Sequence, residues 1–293
     1  MKSPLRKLLV FAISAIVLIC PAQTFANKAP IEYYQDALDR LEKIESRNPA
    51  LRVDIVRLRE AITELYSYSD LTDPKDAEGN YEVPDLSRGS RLYDSCEGLR
   101  DDALKASLNK LVKDHSSYNY KEARKLMFGT VDNVNGMVEC IYTGKKIKTS
   151  GIPSSSIMNA EHSWPQSKGA KGIAKTDLHH LFPCDSNANS RRGNSPFAYV
   201  SHPTWQEGGS KSDKASFEVR KEKRGDIARA LFYFSVRYNM RIDSKQEQVL
   251  KEWHEQDPVD AYEKRRNDKI QNFQNNRNPF IDRPEFVGMI KDF

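Results

Sequence analysis

Residues 159–165, Asn-Ala-Glu-His-Ser-Trp-Pro, set a carboxylate beside an imidazole and follow them with a rigid ring and a residue lacking a backbone donor. An adjacent Glu and His is common by chance. Here Glu161-His162 heads an ordered set that continues with Asp-Leu-His-His-Leu-Phe-Pro at 177–183 and Asn-Ala-Asn-Ser-Arg-Arg at 187–192. Together these segments supply carboxylate and carboxamide oxygens for a hard cation, an imidazole that titrates near neutrality, and positive charge for a phosphate. Phosphodiester hydrolysis uses those parts: an activated water, a Lewis acid on the leaving oxygen, and compensation for gathering negative charge.

These segments resemble the bacterial endonuclease I family, secreted nucleases of the His-Me finger (ββα-metal) superfamily. The resemblance extends to LYDSCEGLRDDALKASLNKLV at 92–112, the Tyr-Thr-Gly turn at 142–144, EWHEQDPVDAYEKRRNDKI at 252–270 and NRNPFID at 276–282, so it runs from about 90 to 285. It implies a β-hairpin followed by a helix, gripping one divalent cation: Mg²⁺ first, with Mn²⁺ or Ca²⁺ as alternatives. On this resemblance His162 is the general base that deprotonates the attacking water, and Glu161 and Asn189 are the metal ligands. Two protein ligands leave room for water and a phosphate oxygen, as Mg²⁺ prefers. The implied activity is a metal-dependent, sequence-nonspecific endonuclease acting on DNA, with RNA as a second substrate. Such an enzyme holds phosphates more than base edges, so its affinity should fall steeply with salt. His162 must be neutral to accept a proton, and activity is expected to rise from acid toward mildly alkaline pH.

One departure from the family pattern concerns the phosphate. Some members carry a longer insertion between the Glu-His pair and the following Asp-Leu-His, with an arginine on the scissile phosphate. Here residues 163–176 contain no arginine. Lys168, Lys171 and Lys175, or Arg191 and Arg192 from the following helix, are the candidates for that role, although a lysine offers a point charge rather than a forked pair of donors. Asp177, His179 and His180 are candidates to orient the metal ligands from behind, and equally candidates for ordinary hydrogen-bonded structural positions. Two other classes compete. A zinc hydrolase would use His162, His179 and His180, but the chain lacks a helical H-E-x-x-H pair. A catalytically inactive polyanion-binding module is suggested by basic charge alone.

The elements that must position these residues can be read from periodicity. Leu99, Leu104 and Leu108 predict a helix over 99–113, and a second follows at 120–128. Residues 137–147 read as a strand and turn, and 177–183 as a strand closed by proline. Two neighbours on a regular strand face opposite ways, so the strand carrying Glu161 should end or twist there, with Trp164-Pro165 fixing the exit. Asp185 and Ser186 are capping candidates for a short polar helix. Ile227, Leu231, Phe234 and Tyr238 predict an amphipathic core helix, Trp253 is expected in the core, and Asn278-Pro279 reads as a structural turn. The fold class is α+β: a mostly helical domain around a ββα-metal finger, with an N-terminal helical hairpin extension.

That hairpin is predicted from helical spacing over 32–47 and 51–65, followed by an Asp-, Pro- and Gly-rich stretch at 70–89. The division is therefore a secretory signal at 1–26, hairpin and linker at 27–88, and the catalytic domain at 89–293. The signal reading rests on Lys2, Arg6 and Lys7 before a short apolar run that ends near Ala26, too short to span a membrane. It places the mature chain in the periplasm or outside the cell. Cys96, Cys140 and Cys184 then remain, and one disulfide with one odd thiol is the simplest count, the expected pair being Cys140 with Cys184. Charge is uneven. Residues 28–88 hold 14 acids against 9 bases, whereas residues 145–229 hold 15 bases against 8 acids. The basic half suggests a polyanionic partner, and a monomer suffices for the chemistry.

Overall fold

The structure, a computed structural model, describes residues 92–293. The signal segment, the helical hairpin and its linker lie outside the described residues. Helix α1 (Asp101–Val112) buries Leu104, Leu108 and Val112, as the leucine spacing requires. Asn119 then closes a capping box with Glu122 and starts α2 (Tyr120–Leu126), which continues into a π-helical turn at Met127–Val131. Strands β1 (Asn133–Val134), β2 (Met137–Glu139) and β3 (Lys146–Lys148) form an antiparallel meander, matching the strand and turn read from the sequence.

Strand β4 (Met158–His162) pairs antiparallel with β5 (Leu181–Asp185), Glu161 opposite Phe182 and His162 opposite Leu181. The expected strand over 177–183 thus begins late. Residues Leu178–His180 form a 3₁₀ turn, because the Asp177 side chain accepts the His179 N–H and closes the backbone there. Strand β4 also runs one residue past Glu161. Its exit is fixed by Trp164, whose ring stacks on Phe234 with centroids 4.8 Å apart and whose indole N–H donates to the Lys168 carbonyl at 2.9 Å. Asp185 caps the next helix, α3 (Ser186–Arg192), by accepting the N–H groups of Asn187 and Ala188. A second antiparallel meander follows: β6 (Trp205–Glu207), β7 (Ser210–Ser212) and β8 (Phe217–Glu218).

Helix α4 (Arg224–Tyr238) differs from the amphipathic reading: every residue except Tyr238 is buried. Arg224, Arg229 and Asp226 tolerate this because they are paired with Glu218, Glu263 and Lys223, while Arg237 donates to His115 Nδ1. Around it pack α5 (Ser244–Gln256), α6 (Ala261–Gln274) and the short α7 (Pro279–Asp282). Trp253 and Phe234 are fully buried, and Asn278 caps α7 with Pro279 as its first residue. Among the described residues no helix is long and apolar enough to cross a membrane.

Candidate active site

Strand alternation sends Asn159 and Glu161 to one face of β4 and His162 to the other. On the first face α3 packs across the strand. Asn189 Nδ2 donates to Asn159 Oδ1 at 2.6 Å and to the Ala160 carbonyl at 3.4 Å. One turn later Arg192 reaches Glu161, with Nη1 3.2 Å from Oε1, and both side chains are 3% exposed. The Tyr142 hydroxyl donates to the same Oε1 at 2.7 Å. The Tyr-Thr-Gly turn that carries Tyr142 is itself held down: Ser210 donates to the Tyr142 carbonyl at 2.7 Å. Gly208 lies so close that a Cβ there would sit 2.1 Å from the Thr143 carbonyl oxygen. Burial raises the Glu161 carboxyl above its ordinary range, against the pull of Arg192 and the Tyr142 hydrogen bond.

On the second face His162 is 7% exposed. Its Nε2 lies 3.0 Å from the Lys175 carbonyl. A carbonyl only accepts, so Nε2 carries the proton and Nδ1 keeps its lone pair. Gln166 Nε2 stands 3.5 Å from that Nδ1, a weak contact. The Tyr120 ring stacks on the imidazole at 5.8 Å and 27°, and His180 meets it edge-on at 5.5 Å. Burial, then His180, draws the His162 imidazole down to about 3, so it is neutral near neutral pH.

The remaining sequence candidates divide. Lys168, Lys171 and Arg191 are solvent-exposed. Lys175 is half-buried, with Nζ 4.6 Å from the Tyr120 ring centroid. Arg192 does not offer its guanidinium outward as a phosphate ligand would: Nη1 donates to the carbonyls of His162 and Gly193, and Nη2 to Ser163. Its energetic place is under Glu161, where a buried carboxylate needs a partner. Asp177, His179 and His180 hydrogen-bond to groups other than Glu161 and Asn189. The Asp177 carboxylate accepts from the Tyr233 and Tyr238 hydroxyls at 2.8 Å each and from Gln274 at 3.0 Å. Burial opposes its charge, yet His179, His115 and the Gln274 bond hold it below the usual carboxylate range. His180 Nε2 contacts the Ala174 carbonyl at 2.6 Å and His179 Nε2 the Asn276 carbonyl at 3.4 Å. These groups brace the turn before β5. The three imidazoles of the zinc reading do not converge: among the described residues no three His, Cys, Asp or Glu side chains gather to hold an ion.

The expected disulfide is not formed. Cys140 and Cys184 are neighbours as free thiols, with sulfurs 3.9 Å apart where a bond needs about 2.05 Å. The contact with Cys184 and the N–H groups of Asp185 and Thr143 draw Cys140 down to about 6, against burial. Sequence reading missed Tyr120, Tyr142, Asn159 and Gln166. A Tyr-Thr-Gly turn was visible in the chain, but nothing local said that its tyrosine would reach residue 161.

Residues 101–285 match the family model described as Endonuclease I. An extracellular ribonuclease of Bacillus subtilis (strain 168) is 34% identical over 224 residues, covering 68% of this chain and 77% of the relative. An extracellular deoxyribonuclease of Aeromonas hydrophila is 35% identical over 112 residues, covering 36% of this chain and 49% of the relative. A periplasmic deoxyribonuclease of the same organism is 34% identical over 112 residues, covering 36% and 47%.

Proposed function

As the chain belongs to the endonuclease I family, we propose that it is a periplasmic or extracellular, metal-dependent nuclease that hydrolyses phosphodiester bonds in DNA and RNA without sequence preference, and that β4, β5 and α3 are its ββα-metal finger. The observation that carries this reading is the 3.0 Å contact between His162 Nε2 and the Lys175 carbonyl. With Nε2–H committed to the Lys175 carbonyl, Nδ1 is left unprotonated as the proton acceptor. Gln166 at the edge of Nδ1 is placed to steady a water there.

The acceptor set on the other face fits a hard cation. The Tyr142 hydroxyl and the Arg192 guanidinium both approach Oε1 of Glu161. The Asn189 amide nitrogen is spent on β4, which leaves its Oδ1 without a donor among the described residues. Glu161 and Asn189 would hold Mg²⁺ through their side-chain oxygens. The ion, when bound, supplies Lewis-acid stabilisation of the leaving oxygen and of charge on the phosphate. The protein's own part is to keep the carboxylate aimed through Tyr142 and Arg192, and to take a proton at Nδ1 of His162. Attack by water makes no use of a 2′-hydroxyl, so DNA and RNA are both substrates on this mechanism.

Incubating the secreted protein with plasmid DNA and with RNA in Mg²⁺, then in chelator, tests the proposal. Cleavage should require the ion and should fall roughly 10²–10⁴-fold in His162→Ala with melting unchanged. A His162→Ala protein that cuts at the wild-type rate removes the general base from the account.

A further inference from the structure

Tyr120 is the first residue of α2, fixed there by the Asn119–Glu122 capping box, and its ring lies on the catalytic imidazole. Two cations attend the same ring. Lys175 Nζ is 4.6 Å from its centroid, and the Arg124 guanidinium carbon, one helical turn along α2, is 5.5 Å away. Neither has a carboxylate within ion-pair distance among the described residues, whereas Arg224, Arg229, Arg266 and Arg277 are each paired with an acid. Arg124 Nε is also shut off from water with no hydrogen-bond partner. A buried donor of that kind costs free energy unless something else accepts from it. The backbone ties this pair to the reaction centre, because the carbonyl of Lys175 itself accepts the hydrogen bond from His162 Nε2–H.

Resting on the reading of His162 as the base, we propose that Arg124 and Lys175, carried by Tyr120, form the phosphate-binding site of the enzyme and hold non-bridging oxygens of the nucleic-acid backbone beside His162. The face of α2 then performs the work for which residues 163–176 offer no arginine. Arg124 supplies the planar, forked donor and Lys175 the point charge. Tyr120 spaces them: its ring attracts both cations without neutralising either, as a carboxylate would.

Binding, rather than turnover, isolates this idea. In a His162→Ala background and in chelator, a short fluorescein-labelled single-stranded DNA is titrated at several salt concentrations. Replacing Arg124 and Lys175 together by Gln should weaken binding and flatten the plot of log K against log salt by about 0.7 per lost cation, the single-strand value. Lys245→Gln, exposed on α5, should leave the plot as it was. Arg124→Lys should restore most of the slope. A second measurement needs no substitution: acetylation of the unaltered protein, read by peptide mass spectrometry, should find Lys175 protected by the oligonucleotide and Lys245 not. An unchanged salt slope in the double variant, or an unprotected Lys175, overturns the proposal. Neither result depends on whether His162→Ala has lost cleavage, so failure here is distinguishable from failure of the proposed reaction.

Discussion

Arg192 and Glu161 form an ion pair across the β4–α3 contact, 3.2 Å apart and almost sealed from solvent. Helix α3 therefore meets the strand with Asn189 one turn before the arginine, so a single helix face delivers both the Asn189 amide against β4 and a guanidinium under the carboxylate. Breaking such a pair leaves an uncompensated buried charge. Arg192→Met should cost roughly 3–5 kcal/mol in denaturant unfolding without added metal. The loss should shrink in saturating Mg²⁺, because the ion takes over part of the compensation. A variant as stable as wild type in both conditions contradicts the role given to Arg192.

Tyr142→Phe keeps the ring volume in a fully buried site and removes only the hydroxyl that donates to Glu161 Oε1. Outer partners of ligating carboxylates are commonly worth roughly 10–100-fold in metal affinity. Calorimetric titration with Mg²⁺ should register a loss of that size with little change in melting temperature. Equal affinities would mean that the Glu161 carboxylate is held by Arg192 alone.

The two neighbours at 161 and 162 titrate in opposite senses. Burial lifts the Glu161 carboxyl, so it takes up a proton at a higher pH than usual, while the His162 imidazole falls to about 3 and stays neutral well below its ordinary range. On descending pH the carboxylate is lost first. The acid limb of kcat/KM should consequently belong to metal binding and should move to lower pH as Mg²⁺ is raised. The sequence-based expectation assigns the limb to titration of His162 instead. A limb fixed near 6.5 at every Mg²⁺ concentration would return that role to the histidine.

Stability itself should depend on His179 and His180, both drawn down to about 4 chiefly by burial, with Asp177 pulling the other way. Between the unfolded value near 6.5 and the folded value near 4, the unfolded chain binds more protons, so stability rises with pH in that window. Their contribution is complete above about pH 6.5 and is lost as pH falls toward 4, on the order of 3 kcal/mol per ring. Urea midpoints at about pH 7.5 and pH 5 should differ, and His179→Gln should reduce the difference. A flat profile would show that these rings are free to protonate in the folded protein.

Local chemistry made several of these features legible in the chain. An aspartate before a polar run capped α3, leucines at helical spacing gave α1, and Thr-Gly-Lys closed the turn after β2, each through contacts spanning only a few residues. Glu161, His162 and Asn189 were likewise picked out in the chain by the family motif they resemble, and they are the residues on which the proposed reaction rests. The helical pattern of 227–238 showed one apolar stripe but not that its charged residues would also be enclosed, since their partners Glu218 and Glu263 come from other elements.

The use of Arg192 was decided by tertiary structure, as was the 3₁₀ turn at His179 and His180, where Asp177 is anchored by tyrosines some sixty positions away. The meeting of Tyr120, Arg124 and Lys175 beside His162 was decided there too. Contacts between residues so far apart in sequence leave no period and no spacing in the chain. They exist only once packing has fixed which face of each element looks at which neighbour, and that choice is made by burial summed over the whole core rather than by any one segment.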